Sequence, residues 1–295
     1  MKLSSLMFLI VFLFVLEPGI LPAAENAGYN WRARSSVVDF DSYSGTDTDE
    51  EITFGREISA RLLGQFRMSG SESVQRYVNL VGAALTQNCS RPELDFHFVV
   101  IESAEINAYS TPGGYVFVTT AILEKMENEA ELAGVLAHEI AHVSERHIVK
   151  ELGLKGAEKS GVSSIAALIS GASESVKIAF SQTIDKAVDL ILRDGYNKED
   201  EMQADAGATL LCALSGYDPS ALVTFLDKVG KLKSGVGKTY PLYDVRLSTI
   251  QKAMSDAGMV EMKLVLNADR FITTMKREHV TRIIPPDDIP RSLLR

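Results

Sequence analysis

The chain has 295 residues, 46% of them hydrophobic, which is enough for a substantial core and excludes a disordered polymer. A formal net charge of −9, with no basic cluster anywhere, excludes nucleic acid as the natural partner. Two cysteines, Cys89 and Cys212, are too few for a cysteine-held zinc, so any metal falls to histidines and carboxylates.

Residues 1–24 read as a secretory signal: Lys2, an apolar run from Leu6 to Leu16, then Pro18, Gly19 and the small pair Ala23-Ala24. The run is too short to span a bilayer comfortably, and a retained membrane anchor is the alternative. The mature chain is therefore expected to start near Glu25 and to work outside the cytoplasm. An oxidising compartment permits a Cys89–Cys212 disulfide, and two buried thiols are the alternative. Residues 25–50 read as an acidic linker, residues 51–255 as the main domain and residues 256–295 as a strand or loop tail.

Within the domain, apolar spacing predicts helices over Ile52–Met68 and Val74–Leu85. Alternation predicts a strand at Phe96–Ile101, a Pro-Gly-Gly turn, and a second short strand at Tyr115–Val118. A helix follows from Thr120, then a long one after Asn128. Between residues 151 and 192, a stripe of Ile165, Leu168, Ile169, Val176, Phe180, Ile184, Val188 and Ile191 marks a helix pair or one interrupted helix, broken around Gly171. Such a stripe faces a core or, alternatively, a membrane surface. A helix over "EDEMQADAGATLLCAL" ends at Gly216 and Pro219, and another runs from Pro219 to about Leu232. No repeat of solenoid length is present.

The chemistry is concentrated in "AELAGVLAHEIAHVSERH". Positions i and i+4 of a helix share a face, so His138 and His142 can present imidazoles to one ion, and Glu139 sits about 100° around from His138. H-E-x-x-H on a helix is the zinc-hydrolase pattern, with the glutamate as general base. Zinc needs a third protein ligand and keeps one position for water. His147, His97, His279 and the carboxylates are the candidates. Five residues beyond His142, His147 faces away on a continuous helix. "E-M-Q-A-D" is the best placed, with Glu201 as ligand and Asp205 accepting the second ring N–H of a ligand histidine.

With those motifs in hand, "NAYSTPGGYVFVTTAIL", "NEAELAGVLAHEIAHVSERH" and "EDEMQADAGATLL" resemble the peptidase family of HtpX-like heat-shock proteases and CAAX prenyl proteases, especially its soluble exported members. The resemblance covers roughly residues 50–255. It implies an α+β, mainly helical, zincin-like fold with a small sheet over the active-site helix. It also implies one Zn2+ held by His138, His142 and Glu201, with Glu139 as base and Asp205 behind a ligand.

The family's His-Pro pair is replaced here by Tyr240-Pro241, upstream of Arg246. Tyr240 is a candidate oxyanion donor, with loop packing as its alternative. Arg246 either orients substrate and loop carboxylates or forms a structural ion pair. The strand Tyr115, Val116, Phe117 and Val118 is expected to be an edge to which an extended substrate adds.

The function expected is a zinc-dependent endopeptidase in the periplasm or cell envelope of a Gram-negative bacterium, acting on unfolded or misassembled polypeptides, with peripheral membrane or outer-membrane protein contact. The rival is an envelope chaperone or assembly factor with a latent or mainly structural zinc.

Overall fold

The computed structural model describes residues 45–154, 164–171, 173–230, 243–260, 262 and 264–283. In chain order the elements are α1 (Gly45–Leu63), β1 (Arg67–Met68), α2 (Glu72–Thr86), β2 (His97–Glu102), β3 (Ala108–Thr111) and β4 (Tyr115–Thr119). Then come α3 (Thr120–Leu123), α4 (Glu129–Ser144), α5 (His147–Glu151), α6 (Ser164–Ile169) and α7 (Glu174–Asp189), which runs into a π-helical turn at Leu190–Asp194. The chain continues with α8 (Lys198–Leu214), α9 (Ser220–Gly230), α10 (Tyr243–Asp256) and α11 (Ala268–Ile283). The fold is mainly helical α+β, with one four-stranded sheet.

The centre is α4. Asn128 caps it by accepting the Glu131 N–H at 2.9 Å, and Glu129 and Glu131 place negative charge in the first turn, where the helix dipole favours it. Every residue from Glu129 to Val143 is buried. A helix apolar all round has no solvent face and must be surrounded. Its most extensive neighbour is α8, with α2, α9 and β3 around the rest. The approach to α8 is close at Gly207, where a side-chain carbon would sit 3.0 Å from the Ala141 Cβ.

Strand order is β1-β2-β4-β3, with β2 and β4 parallel and the outer pairings antiparallel. The β3–β4 hairpin turns through Gly113 (φ 76°) and Gly114 (φ 98°), a left-handed pair that side chains rarely tolerate. Tyr115–Val118, expected as a substrate edge, is not an edge. β4 is internal and pairs with β2 on one side and β3 on the other, so its backbone groups are already used. The edge strand on that side is β3, which packs against α4.

Two boundaries also move. α1 begins at Gly45, inside the stretch expected as a linker. The expected strand or loop tail carries α11, whose Phe271 is buried against Tyr77 with ring centroids 6.2 Å apart. The stripe over residues 165–191 faces inward: Ile165, Ile184, Val188 and Ile191 join a second core with Phe54 and Ile58 of α1. Cys89 and Cys212 are both free thiols in the main core, so the candidate disulfide is not formed. Burial pushes the Cys212 thiol up to about 12, which keeps it protonated and unreactive. Among the described residues, no helix is long and apolar enough to cross a membrane.

Candidate metal centre

Each ligand side chain is delivered by one of two tightly packed helices. His138 and His142, one turn apart on α4, turn their Nε2 atoms toward each other at 3.0 Å. From α8, Glu201 brings Oε2 to 3.6 Å from His138 Nε2 and Oε1 to 3.7 Å from His142 Nε2. Asn197 caps α8 by accepting the Asp200 N–H, which sets the first turn from which Glu201 projects. The three residues are buried, and their ligand atoms lie within 4.8 Å of one another. Glu201 Oε2 is buried with no hydrogen-bond partner, its nearest cationic group being Arg246 Nη1 at 3.7 Å, so it keeps acceptor capacity that a bound ion would use. Two imidazoles and a carboxylate are a zinc donor set, so the residues present fit the ion.

The outer nitrogens of the two histidines meet different partners. His138 Nδ1 lies 3.0 Å from Asp205 Oδ1. Arg246 clamps the same carboxylate with two bonds, at 2.8 and 2.6 Å, and its Nη1 lies 3.7 Å from Glu201. The guanidinium holds Asp205 well below the ordinary carboxylate range against the cost of burial. Burial and the Arg246 charge act against a protonated His138, but the Asp205 carboxylate at its outer nitrogen and the nearby Glu201 carboxylate outweigh them and push it up to about 9. Glu201 is lowered despite burial, chiefly by His138 and Arg246. Asp205 thus stands behind His138, and Arg246 is an ion-pair partner that touches both acids.

His142 Nδ1 lies 2.7 Å from His147 Nδ1, and His147 Nε2 lies 3.1 Å from Gln203 Oε1. His147 does not face away, because the helix is not continuous. α4 ends at Ser144, Arg146 takes a left-handed backbone (φ 56°, ψ 38°), and α5 starts afresh at His147. Burial lowers His147 to about 4, so it is neutral at physiological pH. Of the other third-ligand candidates, His97 is exposed and stacked on Tyr115, away from the cluster; the His279 side chain lies outside the described residues.

Glu139 is buried beside His138, and burial raises its carboxyl against the pull of the His138 charge. Tyr196 stacks on His142 with ring centroids 4.0 Å apart and planes 15° from parallel. Burial, with Glu139 and Glu201 nearby, raises its phenol well above 10. The buried hydroxyl of Ser110 on β3 lies by both Glu139 and Tyr196. Tyr196 carried no spacing signal in the sequence; only its place just ahead of the Asn197 cap put it near α8. Tyr240 lies outside the described residues.

Residues 72–254 match the family described as Peptidase family M48. The chain is 29% identical over 210 residues to the beta-barrel assembly-enhancing protease of Yersinia pestis, covering 68% of this chain and 43% of that protein. It is 26% identical over 249 residues to the protein of the same name from Escherichia coli (strain K12), covering 79% of this chain and 50% of that one. A mitochondrial metalloendopeptidase OMA1 of Arabidopsis thaliana matches at 28% over 173 residues, 59% of this chain and 34% of its own length. The chain spans about half the length of the bacterial relatives it matches.

Proposed function

Because the chain belongs to peptidase family M48, we propose that it is a zinc-dependent endopeptidase exported to the Gram-negative cell envelope, where it cleaves unfolded or misassembled proteins. The observation that supports it most is the convergence of His138, His142 and Glu201, with Glu139 buried alongside. When bound, zinc supplies a Lewis acid that polarises a carbonyl and acidifies water.

The rest falls to the chain's own groups. Glu139 takes the proton from the attacking water and hands it to the departing amine, a transfer suited to a carboxyl raised by burial. Asp205, itself fixed by Arg246, holds the His138 ring in the tautomer that leaves Nε2 free to ligate. Extended substrate pairs with the outer edge of β3, and Tyr240 donates to the developing oxyanion. Envelope placement draws on the secretory pattern of residues 1–24 and on the names of the bacterial relatives.

The test is zinc content together with casein degradation, on the wild-type chain and on Glu201→Ala. About one zinc per wild-type chain, lost with proteolysis in the variant, is the expected result. A variant that keeps its zinc removes Glu201 from the ligand set. Zinc without cleavage in the wild type favours an assembly factor, the rival that the relatives' "assembly-enhancing" names keep in view.

A further inference from the structure

The two proposed zinc ligands are held from behind in different ways, and the second way has its own machinery. His138 has a carboxylate at its outer nitrogen, whereas His142 has only the neutral ring of His147, 2.7 Å away. Two ring nitrogens at that distance share one hydrogen, so one must donate and the other accept. With His142 Nε2 turned to the ligand point, His142 Nδ1–H is the donor and His147 Nδ1 the acceptor. That leaves the hydrogen of His147 on Nε2, where Gln203 Oε1 accepts it at 3.1 Å. Every ring nitrogen in this chain of contacts then has a role.

The backbone around it is arranged to the same end. On an unbroken α4, His147 would point away from His142. The left-handed turn at Arg146 brings it back, in a backbone conformation that residues with a side chain rarely adopt. Strain of that kind persists where the surroundings impose it. Here Glu51 of α1, 2% exposed, lies 2.8 Å from Arg146 Nε and 3.1 Å from Arg91 Nη2.

We propose that His147 is the positioning residue for His142, fixing its tautomer and ring plane through a His142–His147–Gln203 chain anchored by the Arg146 turn. This rests on the reading of His138, His142 and Glu201 as a zinc site.

The experiment measures the zinc dissociation constant by chelator competition, with urea unfolding of each zinc-free protein as the folding control. His147→Leu, which fills the space without an acceptor, is expected to weaken zinc binding about 10–100-fold. His147→Asn, whose Oδ1 falls near the lost Nδ1, is expected to remain within about threefold of wild type, the part of the loss that an acceptor restores. Gln203→Leu, which leaves the imidazole in place, gives a smaller loss in the same direction and carries the test if His147→Leu does not fold.

Wild-type affinity in both leucine variants overturns the proposal. So does an Asn variant as weak as the Leu variant, which would make His147 a packing residue. His142→Ala binding zinc as tightly as wild type would instead sink the zinc-site reading itself, whatever the His147 variants do.

Discussion

The two ends of α4 bury acids in opposite ways. At the N-terminal end, Glu129 accepts from Tyr77, Tyr217, Asn267 and Arg270. Glu131 accepts from Lys228, Thr224 and the Glu127 N–H. At the C-terminal end, Glu139 is buried with its carboxyl raised, and the facing Glu201 keeps an oxygen with no hydrogen-bond partner. The sequence shows acids at both ends of one apolar helix. What separates an anchor from a reactive site is how many donors the rest of the chain brings to each. An anchor is saturated by its own fold, and a site keeps capacity for something else.

The sharpest way to break this comparison is at the reactive end. Glu139→Gln keeps the shape and removes the base, so casein cleavage is expected to fall by about 10²–10⁴ with zinc content unchanged. Cleavage within a few-fold of wild type would show that Glu139 is buried for structure, like Glu129.

At the anchored end the same exchange should act on stability alone. Glu129→Gln leaves several buried donors facing an amide, and an unfolding free energy from urea titration lower by about 1–3 kcal/mol is expected, with zinc affinity retained. A loss of zinc without a loss of stability would erase the distinction between the ends.

That anchor also predicts a pH dependence. Burial opposes the charge on Glu129, but bonds from Arg270, Tyr77 and Tyr217 outweigh it and hold the carboxyl below its ordinary value. A depressed folded-state value contributes stability above the unfolded value near ~4.3, and this contribution is lost as pH falls below it. The gap in stability between wild type and Glu129→Gln should therefore narrow below about pH 4. A gap that widens there has the wrong sign.

The smallest effect expected belongs to neither end. Cys89 and Cys212 are free and buried, so a reductant should leave the midpoint of thermal unfolding unchanged. A drop of several degrees would reveal a cross-link, on the scale that a disulfide contributes to a chain of this size.

What the sequence displayed and what it concealed divide along physical lines. His138, Glu139 and His142 are legible because one helical turn is a local rule, and Glu201 with Asp205 because the same rule holds on α8. His147 was hidden by the same rule: nothing in "SERH" announces a left-handed arginine, since glycine or asparagine normally marks such a turn. β4 was found as a strand, but its internal position is a matter of strand order, which no local pattern encodes. β3 is four residues long, and its "AYST" shows little alternation to detect. Pro285, Pro286 and Pro290 give the C-terminal stretch a loop-like composition that masks α11, whose Phe271 joins the core.

Because α4 is buried from Glu129 to Val143, the ligand histidines are expected to sit in the part of the molecule that opens last. Their backbone amides should be among the slowest to exchange with solvent hydrogen, released only by global unfolding. Heat would then not strip the site from an intact protein. The centre and the core would be lost in a single step, and a partly active, half-melted form would have no separate existence.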